Sequence, residues 1–399
     1  MKSARIAIIG GGLSGLYAAL LLEQQGIEDY VLLEARSTFG GRILSVSPTG
    51  MDEAGQDTSD TFDRFDLGPT WFRPEFQPQL DRLVGGLALE RFEQHDAGSM
   101  IIERWPHEGP LRVDSSYAAS PPSMRLVGGM NALVAALRKK LPQDRLSVGH
   151  RVKRVRHAGQ QIEVDAEDSH ERLITYRVQF VLLAVPPRLA TSAIDFTPAL
   201  PDSISRAWSN TATWMASHAK YVAVYDRPFW RDRGLSGEAR SAVGPLAEIH
   251  DASMPGGSAA LFGFFGIPAR TRKRVPEQEL LLHCRAQFKR MFGAEAERPK
   301  AELIKDWAAD PLTATAVDLD GTAGHGEAPQ ATVASGPWHG RLAGIASEWS
   351  ARFPGYLAGA VDAATIGVRE AIHAAAADGW ASGAIARRRN QESFNPPTL

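Results

Sequence analysis

A short apolar run ending in glycines constrains this chain more than any other feature. Ile6-Ala7-Ile8-Ile9 carries no polar position on either face, as expected of a strand buried on both sides of a parallel sheet. Gly10-Gly11-Gly12-Leu13-Ser14-Gly15 follows at once and satisfies G-x-G-x-x-G, and Leu16, Ala19, Leu20 and Leu22 continue at helical spacing. A second apolar run, Tyr30-Val31-Leu32-Leu33, ends in Glu34, 19 residues beyond Gly15. Each glycine has a physical role: Gly10 for the tight turn, Gly12 for backbone approach to a pyrophosphate, Gly15 for close packing of helix on strand. The helix N-terminus at Leu13 and Ser14 offers unpaired N–H groups and a partial positive charge to a diphosphate. Glu34 stands where it accepts hydrogen bonds from a ribose diol. The pattern predicts dinucleotide binding but does not separate FAD from NAD.

Composition narrows the class. The chain has 399 residues, 44% hydrophobic and 23% charged, which fits a soluble globular protein of two or three domains. Lys+Arg 44 against Asp+Glu 46 leaves a net charge of −2, so there is no electrostatic footprint for nucleic acid or an anionic membrane. One cysteine, Cys284, excludes an internal disulfide and a cysteine-based metal cluster. It sits in the helical run Leu280–Arg285 and reads as a buried thiol in a reducing, cytoplasmic compartment. Lys2 and Arg5 ahead of Ile6–Leu22 mimic a signal peptide, but four glycines break the apolar run. Phe180–Pro187 and Leu261–Pro268 are too short to span a bilayer. Ala381–Leu399 reads as a polar tail.

The residues after the second strand separate the cofactors. Glu34-Ala35-Arg36-Ser37-Thr38-Phe39-Gly40-Gly41-Arg42 resembles the FAD-dependent amine oxidase family, which contains monoamine oxidases and L-amino-acid oxidases. There, an acid is followed by a basic residue and a Gly-Gly-Arg turn. The resemblance implies that Arg42 runs along the flavin side of the diphosphate, with Gly40 and Gly41 allowing close backbone approach. Asp66-Leu67-Gly68-Pro69-Thr70-Trp71 is similar to the family segment beside the flavin ring, where a Cβ on Gly68 would collide with the ring. Val152 matches the position whose backbone contacts adenine. Lys220-Tyr221-Val222-Ala223-Val224-Tyr225-Asp226-Arg227-Pro228-Phe229-Trp230 aligns without gaps to a stretch whose lysine holds a water against flavin N5 and is linked to reoxidation by oxygen. Taken alone, a lysine at a strand start reads as a solvated end.

The C-terminal part carries a second signature, Gly344-Ile345-Ala346-Ser347-Glu348-Trp349-Ser350 and then Phe353-Pro354-Gly355-Tyr356-Leu357-Ala358-Gly359-Ala360-Val361. By resemblance, Glu348 binds the ribityl or phosphate region, Gly355 and Gly359 let backbone and helix approach the cofactor, and the helix from Leu357 aims its N-terminus at the flavin. Tyr356 matches one wall of a two-aromatic amine cage; read alone it serves equally as core filler. Three departures stand out. Ser347 replaces a glycine. The segment Trp307–Thr315 lacks the cysteine that tethers FAD in monoamine oxidases, which implies noncovalent FAD. Thr315 or Ala316 stands where the second cage wall belongs, so Trp349 or Trp71 completes the cage, or the substrate is not a simple benzylic or alkyl amine.

The expected fold is α/β: a Rossmann-like FAD-binding domain of the glutathione-reductase/p-hydroxybenzoate-hydroxylase type with a second, α+β substrate domain. The first comprises residues 1–71, 125–198 and 340–380, the second 72–124 and 199–339. Phe72–Ser123 reads as irregular with a helix around Pro78–Leu87. A helix over Asn131–Leu141 and strands at Leu146–Val148, Arg151–Val155, Ile162–Val164, Phe180–Val185 and Tyr221–Tyr225 complete the pattern. Arg151–Arg156 reads as a solvated strand face rather than a phosphate clamp. The expected reaction is oxidation of a small-molecule amine to an imine, with O2 reduced to H2O2, Lys220 governing reoxidation and Tyr356 steering the amine. The same fold admits a carbon–carbon desaturase or porphyrinogen-type oxidase, amino-acid oxidation with Arg73 on the carboxylate, or a flavin-binding protein without turnover.

Overall fold

The apolar run Ile6–Ile9 lies at the centre of a five-stranded parallel sheet, in a computed structural model that describes residues 1–50, 61–114, 121–320 and 326–377. The strand order is Leu146–Ser147, Tyr30–Leu33, Ile6–Ile9, Phe180–Leu183 and Leu342–Gly344. Alternation along the central strand explains the unbroken apolar reading. Ile6 and Ile8 face a layer of helices, Leu13–Gln24, Asn131–Lys139 and Leu357–Ala377. Ala7 and Ile9 face the opposite core, where Val155, Val164 and Tyr176 lie on the three antiparallel strands of a mixed five-stranded sheet. That second sheet contains Leu173–Val178, where only Tyr176 and Val178 are buried and the register is set by pairing with Gln161–Glu167, so local pattern does not mark it. The first helix is buried from Leu13 through Leu22 because it is flanked by the sheet and by Leu357–Ala377.

The middle of the chain forms a seven-stranded sheet ordered Ala301–Asp306, Ala219–Tyr225, Ala259–Phe265, Leu246–Asp251, Leu235–Ser241, Ser99–Glu103 and Leu111–Asp114. Strand Ala219–Tyr225 is buried throughout and splits its side chains by parity. Tyr221, Ala223 and Tyr225 pack toward the helix Glu277–Phe292, where Cys284 sits fully buried. Val222 and Val224 pack with Phe65 and Leu67 on the other face. The stretch expected to be irregular contributes the helix Pro78–Gly86 and two strands of this sheet. Those strands escape a local reading because Ser99–Glu103 pairs in parallel with Leu235–Ser241, far along the chain, and Leu111–Asp114 is an exposed edge. The tail Ala381–Leu399 lies outside the described residues. No helix among the described residues is long and apolar enough to cross a membrane.

Close backbone crossings hold the layers together. A Cβ on Gly15 would stand 2.0 Å from the carbonyl oxygen of Gly10. Gly15→Ala is therefore expected to destabilise the protein by about 1–3 kcal/mol through overpacking. Urea unfolding checks this; an unchanged midpoint would show that the helix can shift freely on the strand.

Candidate active site

The parallel strands and the helix Leu13–Gln24 open into a cavity of about 870 Å³. It runs from Gly10, Gly12, Leu13 and Ser14, past Glu34, Ala35, Arg36 and Val152, to Gly40, Gly41 and Arg42. It continues along Gly68, Pro69, Thr70 and Trp71 to Gly355, Tyr356 and Leu357. Residues collected from five regions of the sequence thus line one space. At its first end no side chain caps the helix N-terminus, so its N–H groups are left for an anionic group. Gly12 has backbone no nearer than 3.8 Å to a built Cβ, which keeps this approach open. Gly10 has φ +109° with Ala184 backbone packed against it, and Gly15 touches the strand rather than the cavity. Their assigned roles as turn and packing glycines match these contacts.

Glu34 is buried, and its carboxylate accepts N–H bonds from Gly11 at 2.6 Å and Arg36 at 2.8 Å. Burial pushes its carboxyl above the ordinary value despite these donors. The Arg36 guanidinium is held by both Asp310 oxygens at 3.0 Å and by Thr313 Oγ1 at 3.1 Å. Thus the segment that lacks a tethering cysteine anchors the basic residue beside the nucleotide end. The single thiol, Cys284, lies in the helix core, where burial pushes it well above its ordinary range. In the strand after Ser147, Arg156 pairs with Glu163 and Asp165 while Lys153 pairs with Glu167, so only Arg151 of that basic cluster reaches the cavity.

Arg42 occupies the middle. It pairs with Glu348 through Nη1 at 2.5 Å and Nη2 at 3.0 Å, and Ser347 Oγ accepts from Nη2 at 3.2 Å. Glu348 is buried, which opposes ionisation, but the Arg42 guanidinium holds its carboxyl below the ordinary value. Glu348 therefore pairs with Arg42 and is not among the residues that line the cavity, where a contact with the ribityl or phosphate region was expected. Ser347, where a glycine was expected, adds a third contact to the same arginine. Gly68 lines the cavity and also meets backbone: its Cβ would stand 2.0 Å from the Arg42 carbonyl oxygen, which by itself requires the glycine. Gly359 likewise yields to the Phe353 carbonyl at 2.0 Å, while Gly355 has φ +82°.

Lys220 is wholly buried on the strand face that carries Val222 and Val224. Its ammonium donates to Thr70 Oγ1 at 2.5 Å and to the Gly68 carbonyl at 3.3 Å, and lies 3.9 Å from the centre of the Phe262 ring. Burial lowers its pKa to about 7, with the nearby Asp66 opposing and Arg125 adding to the shift. Thr70, which lines the cavity, connects it to the site. Tyr356 is 45% exposed and lines the cavity, so it is not core filler. Of the two candidates for the other aromatic wall, Trp71 lines the cavity and donates its indole N–H to Gln94 at 2.7 Å. Trp349 does not: it is 4% exposed and packs edge-on against Trp208. Thr315 caps a 3-10 turn through Asp318 and also lies away from the cavity. Sequence reasoning missed Trp214, Met215, His218, Glu248 and Phe264, all of which line it, because long-range contacts bring them there: sheet pairing for Glu248 and Phe264, and bonds to Arg42, Glu348 and Arg272 for the turn Thr213–His218.

Residues 88–372 match the sequence model of the flavin containing amine oxidoreductases, and residues 8–87 that of an NAD(P)-binding Rossmann-like domain. The chain is 28% identical over 188 residues to the probable flavin-containing monoamine oxidase A of Dictyostelium discoideum, covering 46% of this chain and 39% of that protein. To putrescine oxidase of Kocuria rosea it is 29% identical over 217 residues, covering 49% and 43%. These two matches span less than half of the relatives' own lengths. With flavin-containing amine oxidase B of Sus scrofa, identity is 28% over 92% of this chain and 86% of that one. The solved structure of putrescine oxidase bound to putrescine superposes with a TM-score of 0.74 at 19% identity, over 93% of this chain and 99% of that one. Cyclohexylamine oxidase from Brevibacterium oxydans gives 0.74 at 18% identity, over 94% and 99%. The fold is thus shared with these oxidases, and by the match across residues 88–372 the chain belongs to the flavin-containing amine oxidoreductase family.

Proposed function

We propose that this chain oxidises a small amine to an imine, with noncovalent FAD as the electron acceptor and O2 reduced to H2O2. The observation that carries this reading is the single cavity joining a helix N-terminus, Glu34 and Arg36 to an end lined by Trp71, Phe264 and Tyr356. The first end has the donors and the acid that a dinucleotide needs, and the second has the apolar walls that an uncharged amine needs. Bound here, FAD would supply the two-electron acceptor for the C–H bond next to the amine nitrogen and the route by which both electrons reach O2. The chain's own residues hold the reactants and exclude water. Gly12, Leu13 and Ser14 present backbone N–H groups to the diphosphate, and Glu34 accepts from the ribose. Arg42, fixed by Glu348, supplies positive charge between the two ends. Trp71 and Tyr356 orient the substrate carbon. The amine nitrogen provides the lone pair that forms the C=N bond, so no side-chain base is required of the protein. Water then hydrolyses the imine.

Lys220 is the residue proposed to govern reoxidation, acting beside Thr70 from behind Gly68. Three experiments bear on these assignments. Anaerobic amine should bleach the yellow protein, and air should restore the colour with formation of peroxide. A flavin that stays yellow with every amine would move the assignment to carbon–carbon desaturation. Acid precipitation should leave the flavin in the supernatant, and colour in the pellet would refute noncovalent binding. Lys220→Met should slow stopped-flow reoxidation by about 100-fold, the size expected on removing a placed charge, and slow anaerobic bleaching far less.

The same lysine has a signature in stability. Its pKa is about 7 when folded, below the unfolded lysine value, so the unfolded chain binds more protons between these two values. Its contribution therefore makes the protein more stable as pH rises from near 7 toward 10. Comparison of urea midpoints should show this rise in the wild type and a smaller one in Lys220→Met. Parallel curves for the two proteins would mean that the folded lysine titrates normally.

A further inference from the structure

The residue expected to face Tyr356 is absent at 315 and 316, yet the cavity is walled on that side of the sheet by a turn with unusual support. Thr213–His218 folds into two consecutive turns, with Ala216 N–H donating to the Thr213 carbonyl at 3.1 Å and His218 N–H to the Met215 carbonyl at 2.9 Å. Met215 holds φ +70°, the left-handed region that a side chain occupies only when its surroundings impose it. Those surroundings are two buried ion pairs. At one end the Trp214 N–H donates to Glu348 at 3.2 Å, and its carbonyl accepts from Arg42 at 2.9 Å. At the other end Arg272, paired with Asp306 at 2.8 Å and 2.9 Å, donates to the Ser217 carbonyl at 2.8 Å. The Trp307 N–H donates to the His218 carbonyl at 3.0 Å.

What the turn presents is an aromatic row. The Trp214 and His218 rings are 5.3 Å apart, His218 and Phe264 6.3 Å, Phe264 and Phe262 5.5 Å, and Phe262 and Trp71 5.3 Å. Trp214, His218, Phe264 and Trp71 all line the cavity. Two carboxylates also line it among the described residues, and both have partners. Glu34 accepts backbone N–H groups, and Glu248 is bound by Arg240 and by His250 at 2.7 Å. Glu248 is accordingly held below its ordinary value by His250 and Arg240, against the effect of burial. The wall is therefore built for the apolar face of a ligand, and neither acid stands ready for a second ammonium.

We propose that Trp214 and His218, displayed by this pinned turn, are specificity-determining residues of the site, selecting an amine by contact with its ring or branched apolar group. This rests on the amine-oxidation reading above. The test compares benzylamine and putrescine on wild type, Trp214→Leu, His218→Leu and, as a surface control, Trp105→Leu, whose residue is 55% exposed in a hairpin. Loss of a pocket contact predicts a rise in KM for benzylamine of about 10-fold or more in the first two variants. Their flavin content should change little, and kcat/KM for putrescine should fall much less than for benzylamine. An unchanged benzylamine KM, or an equal loss for both amines, would overturn the proposal while leaving amine oxidation standing. Should no amine be turned over, the functional reading fails by itself. The wall is then judged by benzylamine titration of the oxidised flavin spectrum. Weaker binding in Trp214→Leu supports it, whereas equal binding, or none to the wild type, overturns it.

Discussion

Arg42 and Glu348 stand 306 residues apart in the chain, and the geometry of the site depends on their meeting. The pair is largely removed from water, with side-chain exposures of 20% and 3%. A charge so placed is tolerable only while its partner and further donors stay in position, and deleting one member of such a pair typically costs about 3–5 kcal/mol. The further donors here are Ser347 Oγ and the Trp214 N–H. Three segments are thereby fixed to one another: the turn after the second strand, the loop before the last helix, and the turn leading into the Lys220 strand. Arg36 with Asp310 and Arg272 with Asp306 repeat the device, each joining the nucleotide end or the substrate wall to the segment around Trp307.

Such pairs can act only if the backbones carrying them come close. Gly15 lies under the Gly10 carbonyl, Gly68 under that of Arg42 and Gly359 under that of Phe353, each leaving no room for a Cβ. These crossings put both helix N-termini, at Leu13 and Leu357, on one cavity. Positive partial charge from two helices is thus directed into a space that already contains Arg42, which suits an anionic dinucleotide and negative charge on a reduced ring.

How much of this was legible in the sequence depends on the range of the interaction. The central strand, first helix, second strand and Glu34 form a local unit with a period and a motif, and all are found where the residues place them. Glycines at 10, 12, 15, 40, 41, 68, 355 and 359 were recognisable as special, but the sequence does not say what approaches them. At Gly68 and Gly359 the neighbour proves to be backbone. Glu348 was recognisable as functional, yet a buried carboxylate with a guanidinium partner 306 residues away reads the same as one that touches a ligand. Trp214 and His218 carried no motif. Their position follows from the Arg42–Glu348 and Arg272–Asp306 pairs that hold the turn, partners that no local pattern encodes.

Lys220 shows why the residue type matters as well as its place. An ammonium moved from water into an apolar site loses several kcal/mol of hydration unless other groups replace it. Here Thr70, the Gly68 carbonyl, the Phe262 face and the field of Asp66 replace enough of it to keep the folded pKa near neutrality, at about 7. Arginine in the same position would stay charged at every accessible pH and needs a planar set of acceptors that this site does not offer. Methionine would fill the volume with no proton to hold. Lysine alone can be charged or neutral at small cost, with Thr70 as its hydrogen-bond partner in either state. That balance is what a group needs if it is to answer changes of charge on the far side of Gly68 without dismantling the core around it.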